Sequence, residues 1–474
     1  MIEIIKLRLN LKYVGVFGHF IENCPICDVD ACAAQCNIIS GNWFRDTILL
    51  RRLIYMNRFS LTFLILVLLL YITTPVFAGA LYIAEIGTPI SVGTAGVANV
   101  TNTVGADSVF TNPAGMTGLE DDQVLAGVQL LVPTVRFDSD VATAGGSDGG
   151  NAADLVVIPS FFAVKVLNDD WRLGLGLTAP LGGGIDYGRE FVGRYQAQKS
   201  ELAVIGISPA VAYRVNDKLS LGGGVTLSYT SMNLHIAVNQ PGPMSSDGRI
   251  EMDDLDDWGY QGFIGATYKA TNRLTFGAVY RSKADVELEG DIKFKNVDAP
   301  PLNHLTSNFD KAQIDFSYPQ LVKIGARYKL TDATLLMADI GWEDWSTFGD
   351  TRIGLDGTGT VLQTFDREWD DTWHIGFALA HKLSESQIFT AGVGYDSSPV
   401  SDSKRTADLP ADEQLRFSTA YGKRFSENLS LALGGTFLWL GDGKMDQVTQ
   451  GERFKGEFST NHMVFLSATV NYRF

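Results

Sequence analysis

Cysteine, long apolar runs, proline and cations are all in short supply in this 474-residue chain. The four cysteines, Cys24, Cys27, Cys32 and Cys36, lie in the first 36 residues, so no disulfide framework or thiolate cluster can organise the rest. A single long apolar run, Phe59 to Tyr71, is present; a helical membrane protein of this length needs several runs of about 20 residues. Lys and Arg number 38 against 54 Asp and Glu, a net charge of −16, which excludes binding nucleic acid by neutralising its backbone. The histidines beyond the amino-terminal region (His235, His304, His374, His381 and His462) are scattered, and no Ser-containing elbow accompanies them. Nothing composes a hydrolase constellation, so no catalytic residue, cofactor or metal is expected.

The C-x2-C-x4-C-x3-C spacing superficially suits a metal cluster, but its location argues otherwise. Arg51, Arg52 and Arg58 precede the apolar run, and Val76-Phe77-Ala78 follows it, which is the layout of a secretory signal peptide starting at Met56. Residues 1–55 are therefore expected to be an upstream extension without function, and 56–78 a signal peptide. Cleavage after Ala78 removes seven basic and five acidic residues, leaving 31 and 49, a net charge of −18 on a chain without cysteine.

What the mature chain has instead is alternation. In Met463 to Phe474, Val464, Leu466, Ala468, Val470, Tyr472 and Phe474 share one face, while Ser467, Thr469, Asn471 and Arg473 share the other. The same period predicts strands at 122–137, 155–167, 171–180, 198–215, 218–236, 257–270, 273–293, 311–330, 333–348, 361–383, 386–400, 412–425, 428–440 and 454–474. Short polar turns such as Asn216-Asp217 and Thr331-Asp332 alternate with long loops, as an even-stranded outer-membrane barrel requires. Val322, Ile324, Ala326 and Tyr328 oppose Lys323, Gly325 and Arg327, which places the charged set in the lumen. Tyr213, Trp342, Trp345, Trp373, Tyr421 and Phe425 are candidates for interfacial girdles. Ahead of the strands, residues 79–120 are rich in glycine and small side chains, and suit close packing in an interior. The expected fold is an all-β, 14-stranded antiparallel transmembrane barrel over 121–474, with 79–120 as a luminal plug.

Asn112-Pro113-Ala114-Gly115, preceded by Ser91-Val92-Gly93-Thr94-Ala95-Gly96 and Asp107-Ser108-Val109-Phe110, resembles the amino-terminal hatch of the FadL/TodX family of outer-membrane transporters. Further blocks agree in order: Gly193-Arg194-Tyr195, Tyr318-Pro319-Gln320-Leu321, Asp339-Ile340-Gly341-Trp342-Glu343-Asp344-Trp345-Ser346, and Gly394-Tyr395-Asp396 with Leu409-Pro410. The resemblance implies uptake of long-chain fatty acids, alkanes or aromatics across the outer membrane of a Gram-negative-type bacterium. Capture in a loop groove, luminal binding and sideways exit beside a kinked third strand are the implied steps. Loops 237–256 and 294–310 correspond to the groove, with Val297, Leu302, Leu305 and Phe309 as its apolar residues. Gly174, Gly176 and Pro180 would weaken pairing of the third strand. Arg194, Lys323 and Arg327 are candidate partners for a fatty carboxylate. Outer-membrane lipid, hydrophobic small molecules and, through Phe474, the barrel-assembly machinery are the expected partners of a monomer. A structural or adhesive barrel, with the acidic run Asp253 to Asp257 gathering cations, and an outer-membrane lipid hydrolase are the alternatives.

Overall fold

The structure is a computed structural model that describes residues 85–86, 88–240, 246–298, 310–348, 350–355 and 360–474. The expected extension and signal peptide lie outside the described residues, as do Leu302, Leu305 and Phe309.

Among the described residues nineteen strands form one sheet. They are β1 Gln123–Ala142, β2 Val156–Val166, β3 Trp171–Asp186, β4 Lys199–Arg214, β5 Leu219–Val238, β6 Gly248–Lys269, β7 Leu274–Arg281, β8 Ala284–Lys295, β9 Lys311–Tyr318 and β10 Leu321–Lys329. The remainder are β11 Thr334–Glu343, β12 Asp350–Leu355, β13 Thr360–Asp366, β14 Thr372–Ser384, β15 Gln387–Asp396, β16 Gln414–Arg424, β17 Leu429–Trp439, β18 Met445–Thr449 and β19 Glu452–Arg473. The sheet closes on itself through an antiparallel β1–β19 ladder, from Gln123 opposite Arg473 to Ala142 opposite Phe454. Five strands add no stave to the wall. β8 and β9 continue β7 and β10, β12 and β13 form a hairpin beyond the wall, and β18 pairs with the outer end of β19. The wall is thus the expected closed 14-stranded antiparallel barrel.

Local chemistry places the turns. The Asn168 and Asn216 carboxamides each accept from the backbone N–H groups two and three residues on, and the Thr271 and Thr331 hydroxyls do the same. Such side chains mimic a backbone turn and reverse the strand within three residues. At the opposite end the expected long strands break. The stave expected at 311–330 is interrupted at Pro319-Gln320, where proline offers no ladder N–H. The one expected at 333–348 leaves the sheet at Glu343 and coils into a 3-10 turn, Trp345–Phe348. The third, expected to end at Pro180, runs on to Asp186 with a register shift between Thr178 and Leu181, because a bulge tolerates proline without ending the strand.

The two faces are inverted relative to a soluble protein. Tyr260, Ile264, Ile324, Phe377 and Leu433 point outward and are exposed, while Thr226, Arg281, Asp339, His374, Arg416 and Thr436 are buried inside. Only lipid makes such an exterior favourable. Trp171 lies tilted against Tyr213 (4.6 Å between rings) and Tyr472 meets Phe474 edge-on (5.0 Å) on the outer surface at the short-turn end. Trp373, Tyr421 and Phe425 face outward as expected of girdle residues, but Trp345 is 5% exposed and sits in the core. Its 3-10 turn rotates it inward, where it meets Phe348 and Trp369 edge-on.

Candidate functional site

The segment from Thr88 to Leu119 fills the lumen at the short-turn end with two one-turn helices, α1 (Pro89–Val92) and α2 (Ser108–Thr111), and 3-10 turns at Val97–Thr101 and Pro113–Gly118. Buried Asp107 holds its loops together, accepting from Thr88 N (3.0 Å), Thr88 Oγ1 (2.8 Å) and Asn102 Nδ2 (2.8 Å). Asn112 is the joint to the wall. Its Oδ1 accepts from Ala114 N (3.2 Å), and its Nδ2 donates to Val100 O (2.6 Å) and to Ala266 O on β6 (3.1 Å). Pro113, Ala114 and Gly115 follow, all buried. The wall receives this segment on glycines. A side chain at Gly222, Gly265, Gly277, Gly376, Gly392 or Gly434 would run into Pro113, Asn112, Val100, Val97, Thr94 or Val92 respectively. Gly174 belongs to the same set, since its missing side chain makes room for Val109 and Met116. Gly174 and Gly176 were expected to loosen the third strand; both are paired with β2, opposite Val164 and Phe162.

Above the plug lies a charged cavity lined by Lys323, Glu343, Trp345, Trp369, Asp396, Asp412 and Arg416. Arg416 bridges Asp396 and Glu85 of the plug segment, at 2.9 Å each. His374 sits between Asp396 (2.8 Å) and Asp339 (3.3 Å). The three expected carboxylate partners occupy three different levels. Lys323 lines this cavity, 3.6 Å from Glu343. Arg327 lies lower and donates to Thr103 of the plug (3.0 Å). Arg194 is in the outer loops, paired with Asp247 (2.6 Å) and donating to the carbonyls of Ala144, Gly145 and Phe191. Burial opposes the Arg194 charge, but Asp247 more than compensates and its pKa is raised. Burial and then the Asp247 hydrogen bond push the neighbouring Tyr195 hydroxyl up to about 12.

Beside the charged cavity is an apolar one, between plug and wall, lined by Phe110, Pro180, Leu181, Val204, Tyr318, Pro319 and Leu321 with Arg281 and Glu343 at its edge. Arg281, which the sequence reading passed over, lies over the rings of Phe110 (4.2 Å) and Phe263 (4.7 Å) and donates to Phe110 O (3.1 Å) and Thr226 Oγ1 (2.8 Å). Strand phase carried the signal, because Phe276 and Tyr280 face out and Arg281 is therefore inward.

Next to Pro180 the wall is incomplete. The β2–β3 ladder stops at Phe161 opposite Leu177, so Val156–Ser160 pairs only with β1 and Leu181–Asp186 only with β4. Ala152 closes the top, donating to Val135 O (2.9 Å) and accepting from Asp186 N (2.7 Å). The result is a window framed by peptide groups, with exposed Leu155 outside and the buried Thr178 hydroxyl, which has no partner among the described residues, at its edge.

At the long-loop end, Val297 is buried against its neighbours rather than open to a groove (5% exposed). The expected capture loop 237–256 is largely strand, since β5 runs to Val238 and β6 begins at Gly248. A groove of about 580 Å³ takes Val238 and Ile250 from that stretch, and is completed by Ile236, Leu362, Phe365 and Val448 with Lys404 and several amides.

Comparison with known proteins accords with this architecture. The family profile described as outer membrane protein transport protein (OMPP1/FadL/TodX) matches residues 69–474. A long-chain fatty acid transport protein of Escherichia coli is 22% identical over 401 residues, covering 78% of this chain and 89% of that protein. A Pseudomonas aeruginosa FadL homologue superposes with a TM-score of 0.77 at 22% identity, over 83% of this chain and all of that one. The Ralstonia pickettii toluene transporter TbuX gives 0.61 at 19%, over 83% and 99%. With a profile match across nearly the whole barrel and plug, this chain belongs to the OMPP1/FadL/TodX family of outer-membrane transport proteins.

Proposed function

We propose that this protein imports hydrophobic small molecules by capture at the outer groove, passage through the lumen and sideways release into the bilayer. The observation that carries the reading is the window between β2 and β3, beside an apolar cavity that abuts Pro180. A hydrophobic solute gains about 0.8 kcal/mol per CH₂ on leaving water, so lipid is a better destination than an aqueous pore. The plug closes the straight route. Its backbone seats on wall glycines, and Asn112 ties it to β6. The relatives named for fatty acid and toluene transport support the same passenger chemistry. In this reading Phe474, which follows the closing strand, is the handle for barrel assembly, and the protein acts as a monomer.

The mature chain has no cysteine, which makes the test clean. Pro159→Cys with Ala179→Cys, bridged by a disulfide or a bis-maleimide, should cut uptake of labelled toluene or oleate by at least about tenfold, with recovery of the disulfide form on reduction. Uptake at the unbridged rate would refute sideways release.

A further inference from the structure

The charged cavity holds more acid than base, and that bears on what can pass. Glu343, Asp396 and Asp412 line it, with Asp339 and Glu85 directly behind, reached through His374 and Arg416. Lys323, Arg416 and Arg405, with His374 as a fourth base, answer these five carboxylates. Lys323 faces Glu343 at 3.6 Å, Arg416 is shared between Asp396 and Glu85, and Arg405 is held by Asp412 (2.9 Å) and Asp402 (2.8 Å). His374 lies against Asp339 and Asp396. Each cation is therefore already matched to a carboxylate. Drawing one away to serve an incoming anion would leave a buried charge uncompensated, and the anion itself would meet like charges in a medium of low dielectric.

An independent observation points the same way. Glu85 Oε1 and Asp339 Oδ2 are buried without a hydrogen-bond donor, and Asp339 Oδ1 has only the His374 ring at 3.3 Å, whereas no buried side-chain nitrogen among the described residues lacks an acceptor. Beside this cavity it is donors that are short; the unpaired buried hydroxyls, Ser108, Thr178 and Ser467, are not among its lining residues. A carboxylate brings only acceptors, while a hydroxyl brings a donor.

We propose that this cavity selects uncharged hydrophobic molecules over their carboxylates, and that a polar end, where the passenger has one, is a donating hydroxyl. The proposal rests on the import reading and names its substrate class: hydrocarbons and long-chain alcohols or phenols rather than ionised fatty acids. Lys323 and Arg416 then neutralise the wall's own acids instead of clamping a headgroup, and Trp345, Trp369, Pro399 and Leu440 supply the apolar contact.

Trp345 and Trp369, 5.4 Å apart on the cavity wall, provide the measurement. Purified mature protein in detergent is titrated with dibromostearic acid and with dibromostearyl alcohol at about pH 8, where the acid is ionised. The signal is the saturable quenching that Trp345→Phe with Trp369→Phe abolishes. The alcohol is expected to half-saturate at a concentration at least about tenfold lower than the acid. Glu343→Gln and, separately, Asp412→Asn are expected to narrow that ratio by removing one charge each. Equal or tighter binding of the acid, or a ratio unmoved in both variants, overturns the proposal and leaves import standing. Absence of saturable quenching by either probe also overturns it, and import itself falls only if expressing cells also take up no labelled toluene.

Discussion

The two ends of this barrel are held by different physics. At the short-turn end, plug and wall meet backbone to backbone across glycines, with Asn112 as the hydrogen-bonded joint and Arg172, Arg214 and Arg327 donating to Leu119, Thr117 and Thr103 of the plug. At the long-loop end the ladders break, and buried ion pairs hold the loops. The Arg367 guanidinium pairs with both oxygens of Asp408 (2.6 and 3.1 Å), donates to Thr351 and Thr406, and lies over the rings of Phe348 and Phe365. Steric contact of this kind has no low-cost alternative arrangement, whereas broken ladders and exchangeable polar contacts do. In the import reading proposed above, the closed end stays closed and the interrupted end is where a passenger finds room.

Substitutions at each end test that contrast. The largest effect is expected at the loop lock. Arg367→Met strands the fully buried Asp408 carboxylate and should cost about 3–5 kcal/mol, read as a lower thermal midpoint in detergent, while Arg367→Met with Asp408→Leu restores most of it. If the single variant is silent, the loops are held by something else. Gly265→Val drives a side chain into Asn112 and should cost about 1–3 kcal/mol. Limited proteolysis should then cut the plug while the barrel still runs as a heat-modifiable band. Asn112→Ala removes the bonds to Val100 and Ala266 and is expected to cost about 1–2 kcal/mol, with the same cleavage at a lower level; full protection would show that glycine packing alone seats the plug. The smallest effect concerns the outer loops. With the Tyr195 pKa at about 12 in the folded state and about 10 when unfolded, the folded state binds the extra proton between those values. Stability should therefore be level below about pH 10 and fall as pH rises towards 12, and Tyr195→Phe should flatten that segment of the profile.

Much of this was legible in advance. Period-two alternation gave the staves, and Asn, Thr or Ser at the start of each short turn gave the reversals, because both effects are local in sequence. Strand phase put Lys323 and Arg327 inside. It could not separate them by height or attach Arg194 to Asp247, since those partners lie on distant loops. Pro180 was read as a strand end, yet bulged pairing with β4 carries β3 past it. Gly174 and Gly176 read as weak points in the third strand; only the plug's position reveals Gly174, like Gly222 on β5, as a seat.

Alternation and turn chemistry along the chain by themselves determined a closed, inside-out barrel, because each follows from neighbouring residues and from the need to satisfy every peptide group in lipid. Which glycines face the plug, which carboxylates own each luminal cation, and where the β2–β3 ladder stops were decided only by the tertiary structure. Those are contacts between residues far apart in sequence, and chain closure alone brings them together.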